Sequence, residues 1–158
     1  MDIIIDAYNL MWTTRTLNPV ARFNFGKAAR FLERLISIYS KKVEENVILV
    51  FDGYKSGHPY TRHENRDGLE VVITGKGITA DDWIIEQMQK HHIKGSVVTS
   101  DKEIKDAARK NGVNIITSRS FENELMETLK SNRELMDELH ELKREYKQKH
   151  KRRNRKKH

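Results

Sequence analysis

The chain has 158 residues, the size of one domain, of which 37% are hydrophobic and 34% are charged. No apolar run approaches the ~20 residues of a bilayer span, and the absence of cysteine excludes disulfides, thiolate zinc sites and cysteine nucleophiles. The composition therefore predicts a soluble, cytoplasmic protein without a membrane segment, and its first residues predict a strand rather than a secretory signal.

The positive charge is concentrated at the end of the chain. The net charge is +7, yet residues 143–158 alone carry +9 and the remaining 142 residues carry −2. Such a run is typical of a solvated, disordered extension. Its density predicts a polyanionic partner bound by counterion release. RNA, DNA and an anionic membrane surface all fit, although the lack of apolar residues after Tyr146 argues against membrane insertion.

Short apolar runs alternate with segments of helical periodicity along the first 120 residues. The predicted strands are Ile3–Ile5, Asn46–Phe51, Leu69–Ile73, Ser96–Thr99 and Val113–Thr117. The predicted helices are Phe25–Val43, Ala80–His91 and Lys102–Asn111. Continuous Val/Ile runs are typical of strands buried on both faces of a parallel sheet. The pattern therefore predicts an α/β fold: three-layer, doubly wound, with a mainly parallel five-stranded sheet.

Two further segments complete the predicted organisation. Asp52–Asp67 is polar and rich in turn residues, which predicts a mobile loop. An apolar stripe after Ser120 predicts an amphipathic helix packed on the body. The predicted division is a catalytic domain at residues 1–120, a C-terminal helix at 121–147 and a disordered basic tail at 148–158.

Acidic residues follow several of the predicted strands. Asp6 follows the first strand, Asp52 the second and Asp101 the fourth. Asp81 and Asp82 open the helix after the third strand. Because ligands bind at the carboxyl ends of parallel strands, we expect these carboxylates to share one edge of the sheet. Crowded carboxylates repel unless a cation neutralises them, and oxygen-only ligands suit Mg²⁺ or Mn²⁺, which can activate water for phosphodiester hydrolysis.

Each acid also has a structural interpretation. Asp81, Asp82 and Asp101 lie at predicted helix N-termini, where a carboxylate is favourable, and Glu103 completes a capping box. Helical periodicity distinguishes these acids from one another. Asp81 and Asp101 begin the apolar faces of their helices, whereas Asp82 and Glu103 lie outside those faces. Asp6 has the weakest structural interpretation, since a charge directly after three isoleucines should be buried and is costly without a partner.

Four neighbouring side chains have two interpretations each. Asn9 fits a turn-stabilising residue, or one that positions Asp6 or a metal-bound water. Lys102 fits an exposed helix lysine or a phosphate contact. Trp12 and Tyr54 flank the predicted cleft and are placed to stack on bases, although core packing suits Trp12 equally well.

The sequence lacks the characteristic motifs of several enzyme classes. There is no Gly-x-x-x-x-Gly-Lys-Ser/Thr loop of a P-loop NTPase and no Gly-x-Ser-x-Gly elbow of an esterase. An aspartyl phosphatase requires a second aspartate two residues after the first, where Tyr8 stands. Metal-assisted hydrolysis remains the interpretation that the residues favour.

Four ordered motifs together resemble one known family. Residues 4–9 read IIDAYN, residues 50–53 read VFDG, residues 77–82 read GITADD and residues 98–101 read VTSD. This set resembles the YacP-like NYN domain proteins, a branch of the PIN-like nucleases, over roughly residues 1–147. The resemblance implies an endoribonuclease with a central parallel sheet and an acidic Mg²⁺ or Mn²⁺ centre, and some members act on messenger RNA associated with ribosomes.

The resemblance also implies roles for individual side chains. Asp6, Asp81 and Asp101 would hold the ion. Asp52 and Asp82 would assist through water, and Asn9 would orient the Asp6 carboxylate or the water. The resemblance does not account for the basic C-terminus; the charge pattern is what predicts RNA contacts from one lysine near the acids and from the tail: Lys102, Lys143, Arg144, Lys147, Lys149, Lys151, Arg152, Arg153, Arg155, Lys156 and Lys157. The usual glycine of the first motif is Ala7 here, which removes no functional side chain.

Two other functions remain open at this stage. In a non-catalytic RNA- or ribosome-binding adaptor, the acids would serve as helix caps and the tail would supply the binding. A structure-specific DNA nuclease would share the metal site, because no residue identifies a reader of the 2′-hydroxyl group. The sequence does not specify the cleavage site, the number of ions or the oligomeric state.

Overall fold

The computed structural model of the chain describes residues 2–55, 57–91 and 93–156. Within these ranges the strands are β1 (Asp2–Asp6), β2 (Asn46–Phe51), β3 (Arg62–Arg66), β4 (Leu69–Ile73), β5 (Gly95–Val98) and β6 (Asn114–Ile116). The helices are α1 (Ala7–Thr13), α2 (Asn18–Phe23), α3 (Phe25–Val43), α4 (Ala80–Lys90), α5 (Lys102–Lys110), α6 (Ser118–Leu129) and α7 (Arg133–Lys156). None of the helices in the described part is long and apolar enough to cross a bilayer.

The described strands form one six-stranded sheet in the order β3-β4-β2-β1-β5-β6. Neighbouring strands are parallel except for β3 and β4. The chain first builds from β1 through β2 towards β4, and then crosses to the other side of β1 to form β5. Ligands of open α/β sheets bind at such a switch point. The predicted mainly parallel α/β fold is therefore confirmed, with six strands instead of five.

The sixth strand, β3, lies inside the segment that the sequence predicts as a mobile loop. Its residues, Arg62–Arg66, are polar and mostly exposed, and they pair antiparallel with β4 at the edge of the sheet. Charged side chains on an edge strand disfavour pairing with other chains. Because β3 has no apolar alternation, hydrophobic periodicity cannot reveal it.

Helices cover both faces of the sheet because successive strand residues point to opposite sides. Ile5 packs in the larger apolar cluster with Leu35 of α3 and Phe121 of α6. Ile4 packs in the other cluster with Ile84 of α4 and Ile104 of α5. This arrangement confirms the predicted three layers and directs the N-termini of α4 and α5 towards the carboxyl ends of the strands.

The predicted single C-terminal helix is two helices in the structure. The break falls at residues 130–132, where the side chain of Asn132 accepts a hydrogen bond from the Leu135 amide (3.1 Å) and caps α7. Helix α7 then continues through Lys156, where the sequence pattern predicts a disordered tail from residue 148. Contacts with α2 favour this continuation: the Phe23 ring packs edge-on against Tyr146 (4.8 Å between centroids), and the Arg153 guanidinium lies 5.0 Å from the Phe23 ring centre.

Candidate metal centre

Asp6 lies at the end of the central strand and caps the helix that follows. Its side chain is only 4% exposed. It accepts two long hydrogen bonds of 3.4 Å, from the Asn9 amide and from the Thr99 hydroxyl. Burial raises the pKa of Asp6 to about 7, and the charges of Asp81 and Asp101 add to this rise. The strand therefore places a carboxylate where burial disfavours its ionised form and where a nearby cation would favour it.

Asp81 and Asp101 lie in the first turn of α4 and at the N-cap of α5, respectively. Oxygen atoms of Asp81, Asp101 and Glu103 lie within 4.8 Å of one another. Asp101 also accepts a hydrogen bond from the Ile104 amide (3.2 Å), which fixes its position. Burial raises the pKa of Asp81 to about 6, with further contributions from Asp101 and Glu103. Helices α4 and α5 thus bring the carboxylates of Asp81, Asp101 and Glu103 together.

Glu103 is the residue of this cluster that the sequence does not single out. From the sequence Glu103 fits a capping box with Ser100, but the structure corrects this prediction: the N-cap of α5 is Asp101, whose side chain accepts a hydrogen bond from the Ile104 amide. The available signal is its spacing: it follows Asp101 by two residues, at the start of a helix whose N-cap is itself a candidate ligand.

Asp52 and Asp82 are placed differently from the other acids. Both oxygens of Asp52 accept backbone hydrogen bonds, from Tyr54 (2.8 Å) and Ala80 (3.3 Å), so this side chain ties the end of β2 to the start of α4. Asp82 is exposed, and its backbone amide donates to the Thr79 hydroxyl (3.0 Å) in the helix cap. Asp52 still borders the site, whereas Asp82 is not part of the lining of the site.

Asn9 connects three segments of the chain. Its side-chain oxygen accepts hydrogen bonds from the Ser100 amide (2.8 Å) and from the Ser118 hydroxyl (2.6 Å). It therefore holds the segment leading to Asp101 against the start of α6. The side chain positions the Asp101 segment, while the backbone amide of the same residue contacts Asp6.

An acidic cleft of about 250 Å³ lies between Asp6, Asp52, Asp81 and Asp101, while the exposed Glu103 and Asp82 are not part of its lining. The acidic cleft is lined by Asp6, Tyr8, Asn9, Trp12, Thr13, Asp52, Ala80, Asp81 and Asp101. Several carboxylates with no lysine or arginine in the lining form an oxygen donor set that suits a hard divalent cation. The residues present therefore fit a Mg²⁺ or Mn²⁺ ion, with Asp81, Asp101 and Glu103 as the nearest mutual neighbours.

The predicted nucleic-acid contacts lie outside this cleft. Lys102 is exposed at the first position of α5, next to Asp101. The predicted contacts that lie on α7 are all exposed: Lys143, Arg144, Lys147, Lys149, Lys151, Arg152, Arg153, Arg155 and Lys156. Lys157, which is also predicted to bind nucleic acid, lies outside the described residues.

A mostly parallel sheet with helices on both faces and a carboxylate cluster at its switch point defines a PIN-like nuclease fold. The chain belongs to the YacP-like NYN domain family, whose model matches residues 3–158. NYN and PIN-like proteins are generally hydrolytic nucleases that use divalent metal ions. No curated protein sequence matches the chain significantly.

Two solved structures, both of Rae1 (YacP) from Bacillus subtilis, are similar to this fold. One has a TM-score of 0.67 and 20% sequence identity, and the match covers 99% of this chain and 91% of that chain. A tryptophan-to-leucine mutant of the same protein has a TM-score of 0.65 and 21% identity, covering 89% and 91%, respectively. This likeness shows the fold.

Proposed function

We propose that this protein is a metal-dependent endoribonuclease that hydrolyses RNA phosphodiester bonds, with messenger RNA at the ribosome among its substrates. The observation that carries the proposal is the group of Asp81, Asp101 and Glu103 oxygens within 4.8 Å, beside the buried carboxylate of Asp6. Family membership supports nuclease chemistry. The choice of RNA and the ribosome rests on the resemblance of the four sequence motifs.

In this proposal Asp6, Asp81 and Asp101 would hold a Mg²⁺ or Mn²⁺ ion, together with Glu103. Such an ion supplies Lewis acidity and a bound water of lowered pKa. Asp52 acts through water, because its oxygens already accept two amide hydrogen bonds. The exposed Asp82 contributes only through the electrostatic effect of its charge on Asp81.

Two further residues have roles in this scheme, one in positioning the site and one in binding the substrate. Asn9 holds the segment before Asp101 in place through Ser100 and Ser118. Lys102 neutralises a phosphate of the bound strand next to Asp101, since a lysine acts as a flexible point charge for phosphate. The chain thus supplies orientation and charge around the reacting phosphodiester.

A covalently closed circular single-stranded RNA tests the reaction. We expect linear products in the presence of Mg²⁺ or Mn²⁺ and none in EDTA, because a circle has no end for an exonuclease. A DNA circle of the same sequence is the control for a DNA nuclease. Binding of the RNA circle without linearisation under any metal condition would support the adaptor function and overturn the proposal.

The outer face of α7 is expected to add affinity without sequence preference. Lys151, Arg152 and Arg155 lie away from the Tyr146 and Arg153 side chains that contact α2. Changing the three to glutamine should lower the slope of log affinity against log salt by about 2 units, at roughly 0.7 per lost single-strand phosphate contact. Cleavage at low salt should persist.

The matched control for this triple variant removes three cations from the C-terminal ends of α4 and α5, whose N-terminal ends carry the metal site. Lys90, Arg109 and Lys110 are exposed at the C-termini of those helices. Their change to glutamine lowers the net charge equally, so an equal loss of salt slope in both variants would show that α7 has no special role.

A further inference from the structure

A second cleft of about 650 Å³ adjoins the acidic cleft. This aromatic cleft is lined by Tyr8, Asp52, Gly53, Tyr54, Lys55 and Thr79. Tyr8 and Asp52 line both clefts, so the two are continuous. A chain bound with one phosphate among the carboxylates therefore has a neighbouring space into which the next nucleotide can extend.

The backbone beneath the Tyr54 ring is held by several hydrogen bonds. The Gly53 amide donates to the Thr74 hydroxyl (2.8 Å), and the Tyr54 amide donates to Asp52 (2.8 Å). The Tyr54 carbonyl in turn accepts from the Gly77 amide (3.1 Å). A Cβ atom at Gly53 would lie 1.9 Å from the Thr74 carbonyl oxygen, so this close approach requires glycine.

The Tyr54 ring itself is left open by this anchoring. It is 48% exposed and has no ring contact within residues 2–55, 57–91 and 93–156. An exposed ring on a fixed backbone is a prearranged stacking surface, because little freedom is lost when a planar group packs on it. Lys55 beside it has no ion-pair partner among the described residues and is available to an anion.

The exposed large apolar side chains of the described chain share one edge of the molecule. Trp12 follows β1, Tyr54 and Tyr60 lie between β2 and β3, and Ile78 precedes α4. All four belong to segments at the carboxyl ends of the parallel strands. Scattered exposed apolar residues need no explanation, but Trp12 lines the acidic cleft and Tyr54 the aromatic cleft, and exposed rings beside a charged cleft are typical of an interaction surface.

We propose that the aromatic cleft is a nucleobase subsite: an unpaired base next to the cleaved phosphodiester stacks on Tyr54, and Lys55 meets the adjoining phosphate. This inference rests on the proposed function and adds the substrate class, a single-stranded RNA. A stacked and paired base in a duplex cannot offer its face to Tyr54. The subsite therefore selects unpaired RNA at the point of cleavage.

Anisotropy of a labelled 12-nucleotide RNA tests this subsite with the full chain in EDTA, where cleavage is absent. Tyr54→Ala should weaken binding of the single strand about tenfold or more, whereas Tyr54→Phe, which keeps the ring, should bind like the wild type. Tyr60→Ala is the matched control, since Tyr60 is 80% exposed in the same connection and lines neither cleft. Thermal unfolding of each variant verifies that the fold is kept.

The outcomes separate the subsite from the function on which it rests. Wild-type affinity in Tyr54→Ala, or equal losses in Tyr54→Ala and Tyr60→Ala, would overturn the subsite while leaving the endoribonuclease proposal intact. An equal loss for the single strand and for the same strand in a duplex would also overturn it. Failure of the wild type both to bind and to cleave RNA would instead overturn the proposed function, and the subsite with it.

Discussion

Asp81→Asn is expected to lower metal-dependent RNA cleavage by about 10²–10³-fold or more, the usual cost of removing one group that stabilises developing charge. The change keeps the shape of the side chain and removes its negative charge. Because Asp81 lies within 4.8 Å of Asp101 and Glu103, this loss should also weaken metal binding. Cleavage rates measured over a Mn²⁺ titration separate the two effects.

Asp82→Asn is the matched control for this prediction. Asp82 is the next residue of the same helix turn, yet it is exposed and absent from the lining of the acidic cleft. Both variants lose one charge from the N-terminus of α4, so they carry the same helix-dipole penalty. Near-wild-type cleavage in Asp82→Asn together with a large loss in Asp81→Asn is the expected pair of results. Equal rates in the two variants would contradict the metal site.

Asp6→Asn is expected to abolish cleavage and yet to stabilise the metal-free fold above neutral pH. Burial raises the pKa of Asp6 from 3.8 to about 7. The folded chain therefore keeps a proton that the unfolded chain releases between these values. The stability from this group is fully present below about pH 3.8 and is lost as the pH rises through 7.

The size of this effect is bounded by the pKa shift. A rise of roughly three units corresponds to at most about 4 kcal/mol of unfolding free energy at pH 8. Asparagine carries no charge and can still accept the Asn9 hydrogen bond, so Asp6→Asn should recover part of this stability. Urea unfolding in EDTA at pH 4 and pH 8 measures it: the variant should gain at pH 8 and match the wild type near pH 4.

Addition of metal provides the complementary measurement. Saturating Mn²⁺ should raise the unfolding temperature of the wild type at pH 8, because a ligand that binds only the folded state stabilises it. Asp6→Asn should gain much less. If Asp6→Asn is less stable than the wild type at pH 8 in EDTA, then Asp6 is a structural hydrogen-bonding residue and not a destabilising carboxylate that a bound cation would neutralise.

The main parts of the site could be predicted because they follow from local patterns and the logic of parallel sheets. Asp6 ends an apolar strand, and Asp81 and Asp101 begin helices after strands, so the topology alone brings them to one edge. The boundaries of β2, β4 and α3 match the sequence prediction because each is a strongly patterned apolar segment.

The features that the sequence could not reveal depend on tertiary contacts. Strand β3 is polar and exists through its ladder with β4. The helical path of α7 beyond residue 147 is accompanied by contacts of Tyr146 and Arg153 with Phe23, which is more than 120 residues earlier in the chain. In the sequence Glu103 fits a capping box, and only the packing of α4 beside α5 brings its carboxylate to Asp81.

The central claim is that this carboxylate cluster is a metal centre for RNA cleavage, and a crystal soaked in Mn²⁺ tests it most directly. Anomalous difference density should show an ion within about 2.5 Å of oxygens of Asp6, Asp81 and Asp101. Strong anomalous density elsewhere in the molecule, with none in the acidic cleft at saturating Mn²⁺, would contradict it.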